Sequence, residues 1–420
     1  MTAARRLLPA SLRSGAYVAV AMGIMNVATY GFTVIAARVL GPRSYGAFAS
    51  LMAALLVISV LQLGLQATAA RRIASEPTHV AQIEKTVLGV TYRAAIGLGV
   101  VLLLLTPVLN AVLRLDSLAT AALVSAVSVP LTIMGGQAGI LQGERRWGAL
   151  SVVYILSGVP RIVIGTVIIL WQPTELAALV GVGIGACFPI MAGWWFLRRP
   201  RDLGVDSEDH GFRRVAREIV RNSQTLLAFF ALSNVDIIVA RNVLDEHDAG
   251  LYAGGLILTK AVLFLPQFVV VVAFPSMSTV QEARRTLVAS LGLVLGLGLL
   301  VVLGTSLLPD LALVFVGGDE YTEIADHLWV FAVLGTVLAM LQLLVYSVLA
   351  RQGQRSAYLV WIALVTVVGL GLSCSTLRGL LTVVISTDLV LLAALLAISL
   401  TVIQRPTRTA SRAPAPTVDQ

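Results

Sequence analysis

Apolar runs of helix length recur from one end of this chain to the other, and that recurrence limits the fold more than any single motif. A helix needs about 20 mostly apolar residues to cross a bilayer. Runs bounded by charge, proline or glycine lie near residues 15–37, 46–70, 87–110, 118–141, 150–172, 175–197, 223–243, 250–275, 287–308, 323–349, 357–376 and 380–403. A soluble chain carries roughly 25% charged residues, whereas this one has 12% charged and 58% hydrophobic residues, with a mean hydropathy of +0.90. A transmembrane barrel alternates apolar and polar residues over about 10 positions, and runs such as Val100–Leu105 and Leu389–Leu396 do not. The sequence predicts an all-α polytopic membrane protein of about twelve helices.

Charge sets the orientation. Most of the 30 Lys and Arg fall in segments that share one side, among them Arg5, Arg6, Arg13, Arg71, Arg72, Lys85, Arg145, Arg146 and the arginines between residues 198 and 221. Few fall on the other side: Arg38, Arg43, Arg114, Arg241 and Arg378. The positive-inside rule then places both termini in the cytoplasm. The formal charge of +8 is explained by this asymmetry and implies no nucleic-acid partner. The arginines before the first run resemble a signal peptide, but the run exceeds a signal's apolar core of about 7–15 residues and reads as a retained helix. Two separated cysteines (Cys187, Cys374) and four scattered histidines give no metal-ligand spacing and no sign of a metal or cofactor. A Walker A loop ends Gly-Lys-Ser/Thr; the only lysines, Lys85 and Lys260, follow Glu84 and Thr259, so the chain holds no such ATP site.

The longest segment between runs, 198–222, divides residues 1–197 from 223–404, and a polar tail follows from 405 to 420. Its second part puts Phe212, Val215 and Ile219 on one face and arginines on the other, as in a helix lying at an anionic membrane surface. The two halves echo each other. Ala37-Arg38, Val39-Leu40, then Gly46-Ala47-Phe48 follow the first run; Ala240-Arg241, Val243-Leu244, then Gly250-Leu251-Tyr252 follow the seventh. Gln142-Gly143-Glu144-Arg145 after the fourth run is matched by Gln352-Gly353-Gln354-Arg355 after the tenth. Two echoes in equivalent slots argue for duplication of a six-helix unit, with two parallel lobes around a central cleft.

Ionisable groups inside apolar runs are costly and mark candidate sites. They are Arg93, Arg161, Asp236, Lys260 and Asp388, with Asn26, Asn234, Gln62 and Gln137 adding uncharged polarity. Counting from helix ends puts Asp236 and Lys260 at comparable depth, where they are predicted to face each other. Arg161 follows Pro160 near mid-run; Arg93 lies closer to the inner face. Pro130, Pro160, Pro189 and Pro266 are expected to kink their helices. Gly181-x-x-x-Gly185 and Gly292-x-x-x-Gly296 are candidate close-packing stripes.

Several of these motifs are similar to those of a known family. Ser14-Gly15-Ala16-Tyr17, Ala37-Arg38-Val39-Leu40-Gly41-Pro42 with Tyr45-Gly46, and Asn234-Val235-Asp236 with Ala249-Gly250-Leu251-Tyr252 resemble the bacterial polysaccharide (O-antigen and capsule) flippases. So do Leu265-Pro266, Phe274-Pro275 and Gly317-Gly318-Asp319-Glu320-Tyr321. These belong to the multidrug/oligosaccharidyl-lipid/polysaccharide exporter superfamily. The resemblance implies two six-helix lobes in a V, in the bacterial cytoplasmic (inner) membrane. It implies transfer of polyprenyl-pyrophosphate-linked oligosaccharide from inner to outer leaflet, amid membrane lipids and alongside polymerase and glycosyltransferase partners. On it, Arg161, Lys260, Arg93, Asn26 and Asn234 are substrate-binding candidates, and Asp236 and Asp388 are ion-coupling or charge-tuning candidates, with no catalytic residue. The alternatives are a cation-coupled multidrug or small-molecule exporter of the same superfamily, and a membrane-embedded polysaccharide-assembly enzyme. A major-facilitator transporter would need a glycine/arginine-rich signature that the sequence lacks between Arg71 and Lys85.

Overall fold

The computed structural model describes residues 10–198, 212–264, 280–350 and 354–403. Fourteen α-helices run through these segments: α1 (Ala10–Ile58), α2 (Val60–Ser75), α3 (Val80–Leu104), α4 (Thr106–Leu113), α5 (Leu118–Gly143), α6 (Trp147–Trp171), α7 (Glu175–Leu197), α8 (Phe212–Val243), α9 (Glu246–Val262), α10 (Val280–Leu307), α11 (Pro309–Val316), α12 (Leu328–Ala350), α13 (Gln354–Gly371) and α14 (Leu377–Ile403). Among the described residues, nine stretches are long and apolar enough to cross a membrane. The first, Tyr17–Ser75, has 59 residues. At about 1.5 Å per residue it would reach nearly 90 Å as one rod, about three times a hydrocarbon core. It breaks at Gly41, whose φ of 68° and ψ of 170° turn the chain back, with Pro42 opening the next limb. An L side chain is strained at that φ, and here it would also collide with the Glu320 carboxylate. Counting both limbs, and adding α9 and the shorter apolar α13, gives the twelve expected crossings.

The helix pairing repeats. In the first lobe α6 packs on α1 and α7, and α5 packs on α2, α3 and α7. In the second, α13 packs on α8 and α14, and α12 packs on α9, α10 and α14. Each contact of the first set has its counterpart in the second, as duplication of a six-helix unit requires. The lobes meet mainly where α1 lies against α8 and α9, and where α2 and α3 lie against α8.

At the first of these junctions, here named the Gly41 end, the echoed glycines touch. A Cβ on Gly46 would lie 3.1 Å from the Cα of Gly250, and one on Gly250 would lie 2.9 Å from the Cα of Pro42. The aromatic residues of the echo, Phe48 and Tyr252, are buried behind them, stacked edge-on against Phe32 and Phe331.

At the opposite end, here named the Arg71 end, the structure departs from expectation. The amphipathic segment from Phe212 is the first third of α8, continuous with the membrane helix. Its Val215 and Ile219 are buried against Leu65, Ala69, Ile73, Ile83 and Val87 of α2 and α3. The apolar face that reads as lipid-seeking is satisfied by protein. Glu218 pairs with Arg71, and with Arg72 at 2.7 Å. Pro130, Pro160 and Pro189 sit inside unbroken helices. Pro266, Phe274-Pro275, the Gln352-Gly353 echo, the linker up to residue 211 and the tail lie outside the described residues.

Candidate functional site

The second lobe gathers the polar side chains. Lys260, in the last turn of α9, donates from Nζ to the Ser233 carbonyl oxygen at 2.7 Å and to Asn234 Oδ1 at 2.8 Å. Asn234 in turn donates to the Phe230 carbonyl at 2.8 Å. Asp236 accepts from the Tyr252 hydroxyl at 3.2 Å and from the Ile237 amide at 2.9 Å. Asp236 and Lys260 do not form an ion pair within 4.0 Å among the described residues. The two are near enough for their charges to act on each other, but the direct pairing is offset because helix α9 begins at Glu246 rather than near residue 250. Asp245 accepts from the Asp248 amide at 2.8 Å and caps the helix there. Lys260 therefore sits roughly 21 Å along its helix and Asp236 roughly 10 Å back from Val243, about two turns apart. Asn234, rather than Asp236, accepts from the ammonium.

Asp388 lies on α14, which packs against α8 and α9, and is 1% exposed. Its Oδ1 has no hydrogen-bond partner among the described residues. The structure thus brings Asp236, Tyr252 and Asp388 into one buried neighbourhood, with Lys260 and Asn234 beside it. Tyr252 was legible only as the aromatic of the repeat, and its role as a donor to Asp236 had no separate signal.

In the first lobe Arg161 sits near the middle of the 25-residue α6, half-buried. The Gly181/Gly185 stripe of α7 packs here: a Cβ on Gly185 would lie 2.9 Å from the Arg161 Cα. No hydrogen-bond or ion-pair partner of the Arg161 guanidinium is present among the described residues. The Gly292/Gly296 stripe, by contrast, faces no neighbour within 4 Å. Arg93 is exposed, with its guanidinium 4.7 Å above the Phe212 ring, so it holds the start of α8 and is not brought to Arg161. Asn26 is half-buried on α1. Gln137 is fully buried on α5 with both amide atoms unpaired among the described residues. A part-buried network that sequence reading missed joins Gln66 to Gln142 (2.9 Å) and to the Tyr154 hydroxyl (2.7 Å).

Two six-helix lobes with ionisable groups set within the membrane helices of each describe a membrane transporter. The family model described as "Polysaccharide biosynthesis protein" matches residues 11–281. The chain belongs to that family, within the multidrug/oligosaccharidyl-lipid/polysaccharide exporter superfamily. Solved structures share the fold at low identity. An inward-facing multidrug resistance MATE family transporter of the MOP superfamily is 16% identical, with a TM-score of 0.70, covering 92% of this chain and 98% of that one. An outward-facing MATE family transporter, also 16% identical, gives 0.60 over 96% and 98%. A MOP superfamily transporter from Pyrococcus furiosus, described with a binding pocket of reverse polarity, is 15% identical with a TM-score of 0.60 over 93% and 96%. No curated protein sequence matches the chain.

Proposed function

We propose that this transporter flips polyprenyl-pyrophosphate-linked oligosaccharide from the inner to the outer leaflet of a bacterial cytoplasmic membrane, with the Gly41 end outward and both termini cytoplasmic. Arg161 carries the substrate reading. A guanidinium stays charged under all ordinary conditions, and at mid-membrane it is costly unless an anion visits or stays. No resident anion contacts it among the described residues. A diphosphate supplies pairs of anionic oxygens that the planar guanidinium binds in a forked geometry. Lys260 and Asn234 offer hydrogen bonds to the sugar–phosphate, while the prenyl tail stays in lipid. Asp236 and Asp388 serve the energy coupling, since two buried carboxylates, one with an unpaired oxygen, suit a cation or proton that binds and leaves.

Complementation of a flippase-null strain tests this, scored by surface polysaccharide at matched membrane abundance. Arg161→Ala is expected to abolish export, and Arg161→Lys to retain a fraction by keeping the charge without the fork. Full export by Arg161→Ala would remove the residue from the site. The buried acidic pair favours a second reading, a cation-coupled exporter of small cationic molecules. That reading gains if Asp236→Asn abolishes drug resistance in a sensitised strain while Arg161→Ala leaves resistance intact.

A further inference from the structure

The last four carbonyls of a helix have no partner within it, and they carry the negative end of its dipole. Two eight-residue helices here, α4 and α11, occupy matching places in the repeat, each directly following a long helix and each opening with a proline in its first two positions. Their C-terminal carbonyls are met by arginines from the opposite lobe. Arg241, at the end of α8, donates from Nε to the Leu113 carbonyl of α4 at 3.3 Å and from Nη2 to that of Arg114. Its neighbour Asn242 donates to the Val112 carbonyl at 2.7 Å. Arg38, on the first limb of α1, donates from Nη2 to the Val314 carbonyl of α11. Tyr30 adds a bond to the Phe315 carbonyl at 3.2 Å.

Arg38 and Arg241 are the same position in the duplicated unit. We propose that they form a reciprocal clasp in which each lobe's arginine grips the short helix of the other, latching the cleft shut at the Gly41 end. Neither arginine forms an ion pair with a carboxylate among the described residues. The Gly46–Gly250 contact lies between equivalent elements, so the two grips are exchanged by the same two-fold relation that exchanges the glycines. Opening this end must break both. Arg43–Glu246, the other cross-lobe charge contact here, is exposed on both sides and contributes little. The halves are unequal: Arg241 is 5% exposed and acts with Asn242 on three carbonyls, whereas Arg38 is exposed and acts with Tyr30 on two. Opening therefore begins on the Arg38 side.

The inference rests on the transporter reading only in that the lobes must part; it is independent of the substrate. The experiment is pulsed electron–electron distance measurement in nanodiscs. Labels go on Gln172→Cys and Ser375→Cys, exposed positions at the Gly41 end of the two lobes, with Cys187 and Cys374 replaced by serine. Arg241→Gln is expected to shift the closed-to-open ratio toward open by at least about tenfold, and Arg38→Gln by less, because bonds from a charged donor are stronger when buried. The double variant should add both shifts and show a second, longer distance. Arg241→Lys, which keeps charge but loses the fork, should fall between. An unchanged distribution for monodisperse Arg241→Gln would overturn the clasp. Should that variant fail to fold, Asn242→Leu combined with Arg38→Gln takes its place, and an unchanged distribution there overturns it equally. Widened distances with normal surface polysaccharide would retain the clasp and show that transport tolerates a loosened gate. Unchanged distances with lost polysaccharide would reject the clasp and leave the substrate reading standing.

Discussion

Adding one methyl group at Gly250 should force the two lobes apart at the Gly41 end. A Cβ built there lies 2.9 Å from the Pro42 Cα and nearer still to the Pro42 carbonyl carbon and oxygen. Carbon atoms in contact prefer about 3.5–4.0 Å, so relief needs a local separation of roughly 1 Å. The clashing atoms are backbone of the limb that starts at Pro42, and no rotamer change can move them. Overpacking of this kind costs about 1–3 kcal/mol, which falls on the closed state alone, because the contact exists only while the lobes touch. The closed-to-open ratio should drop by about 5–150-fold. Gly46→Ala is a graded companion, since its Cβ would meet Gly250 Cα at 3.1 Å and Gly250 N at 3.2 Å. Gly292→Ala is the control: no atom lies within 4 Å of its Cβ position, and alanine favours helix. Distances between labels at residues 172 and 375 should lengthen in the order Gly250→Ala, Gly46→Ala, Gly292→Ala. A Gly250→Ala protein with normal yield and the distances of Gly292→Ala would refute the tight-junction argument.

Two other substitutions probe the buried charges. Asp236→Asn removes a carboxylate that bonds Tyr252 and its own backbone rather than Lys260, so folded yield should stay near that of the parent while export falls; blotted abundance beside surface polysaccharide measures both, and undiminished export would take Asp236 out of coupling. Glu218→Gln removes the partner of Arg71 and Arg72 in a mostly buried setting, and should lower stability by about 1–3 kcal/mol in a thermal unfolding assay; an unshifted transition would show that the Arg71 end is held by Val215 and Ile219 alone.

The helices were legible because lipid demands long apolar runs, and every expected run overlaps described helix; the helices of the third, seventh and ninth runs begin several residues earlier than expected, and the eighth run is described only to residue 264. Boundaries failed where a polar residue acts through the backbone. Asp245 starts α9 by accepting an amide, and its sequence neighbours Glu246, His247 and Asp248 look like loop until that cap is seen. The Phe212 segment failed for a different reason. An amphipathic face records that something apolar covers it, and lipid and a neighbouring helix leave the same pattern; here the cover is α2 and α3. The candidate charges could be named from cost alone, but their pairing could not, since about half a turn of helix decides whether Lys260 meets Asp236 or Asn234.

The repeated Ala-Arg pair shows the same limit from the other side. Its echo was visible at positions 37–38 and 240–241, yet the partners are main-chain carbonyls of α4 and α11, which any sequence supplies. An arginine that binds backbone needs no matching residue on the far side, so no charge pattern betrays it. Duplication provides the missing signal. When a unit is copied and its two copies come to face each other across a two-fold relation, a contact between them is made twice, once in each direction. A feature that recurs at the end of the first helix in each copy therefore points at the short helix of the other copy. The Gly46–Gly250 contact is a single meeting of equivalent elements between the lobes, while Arg38 and Arg241 make their contacts separately on either lobe. A gate built this way opens only when both flanking bonds release, which makes the end of the cleft cooperative without any residue that is acidic on one lobe and basic on the other.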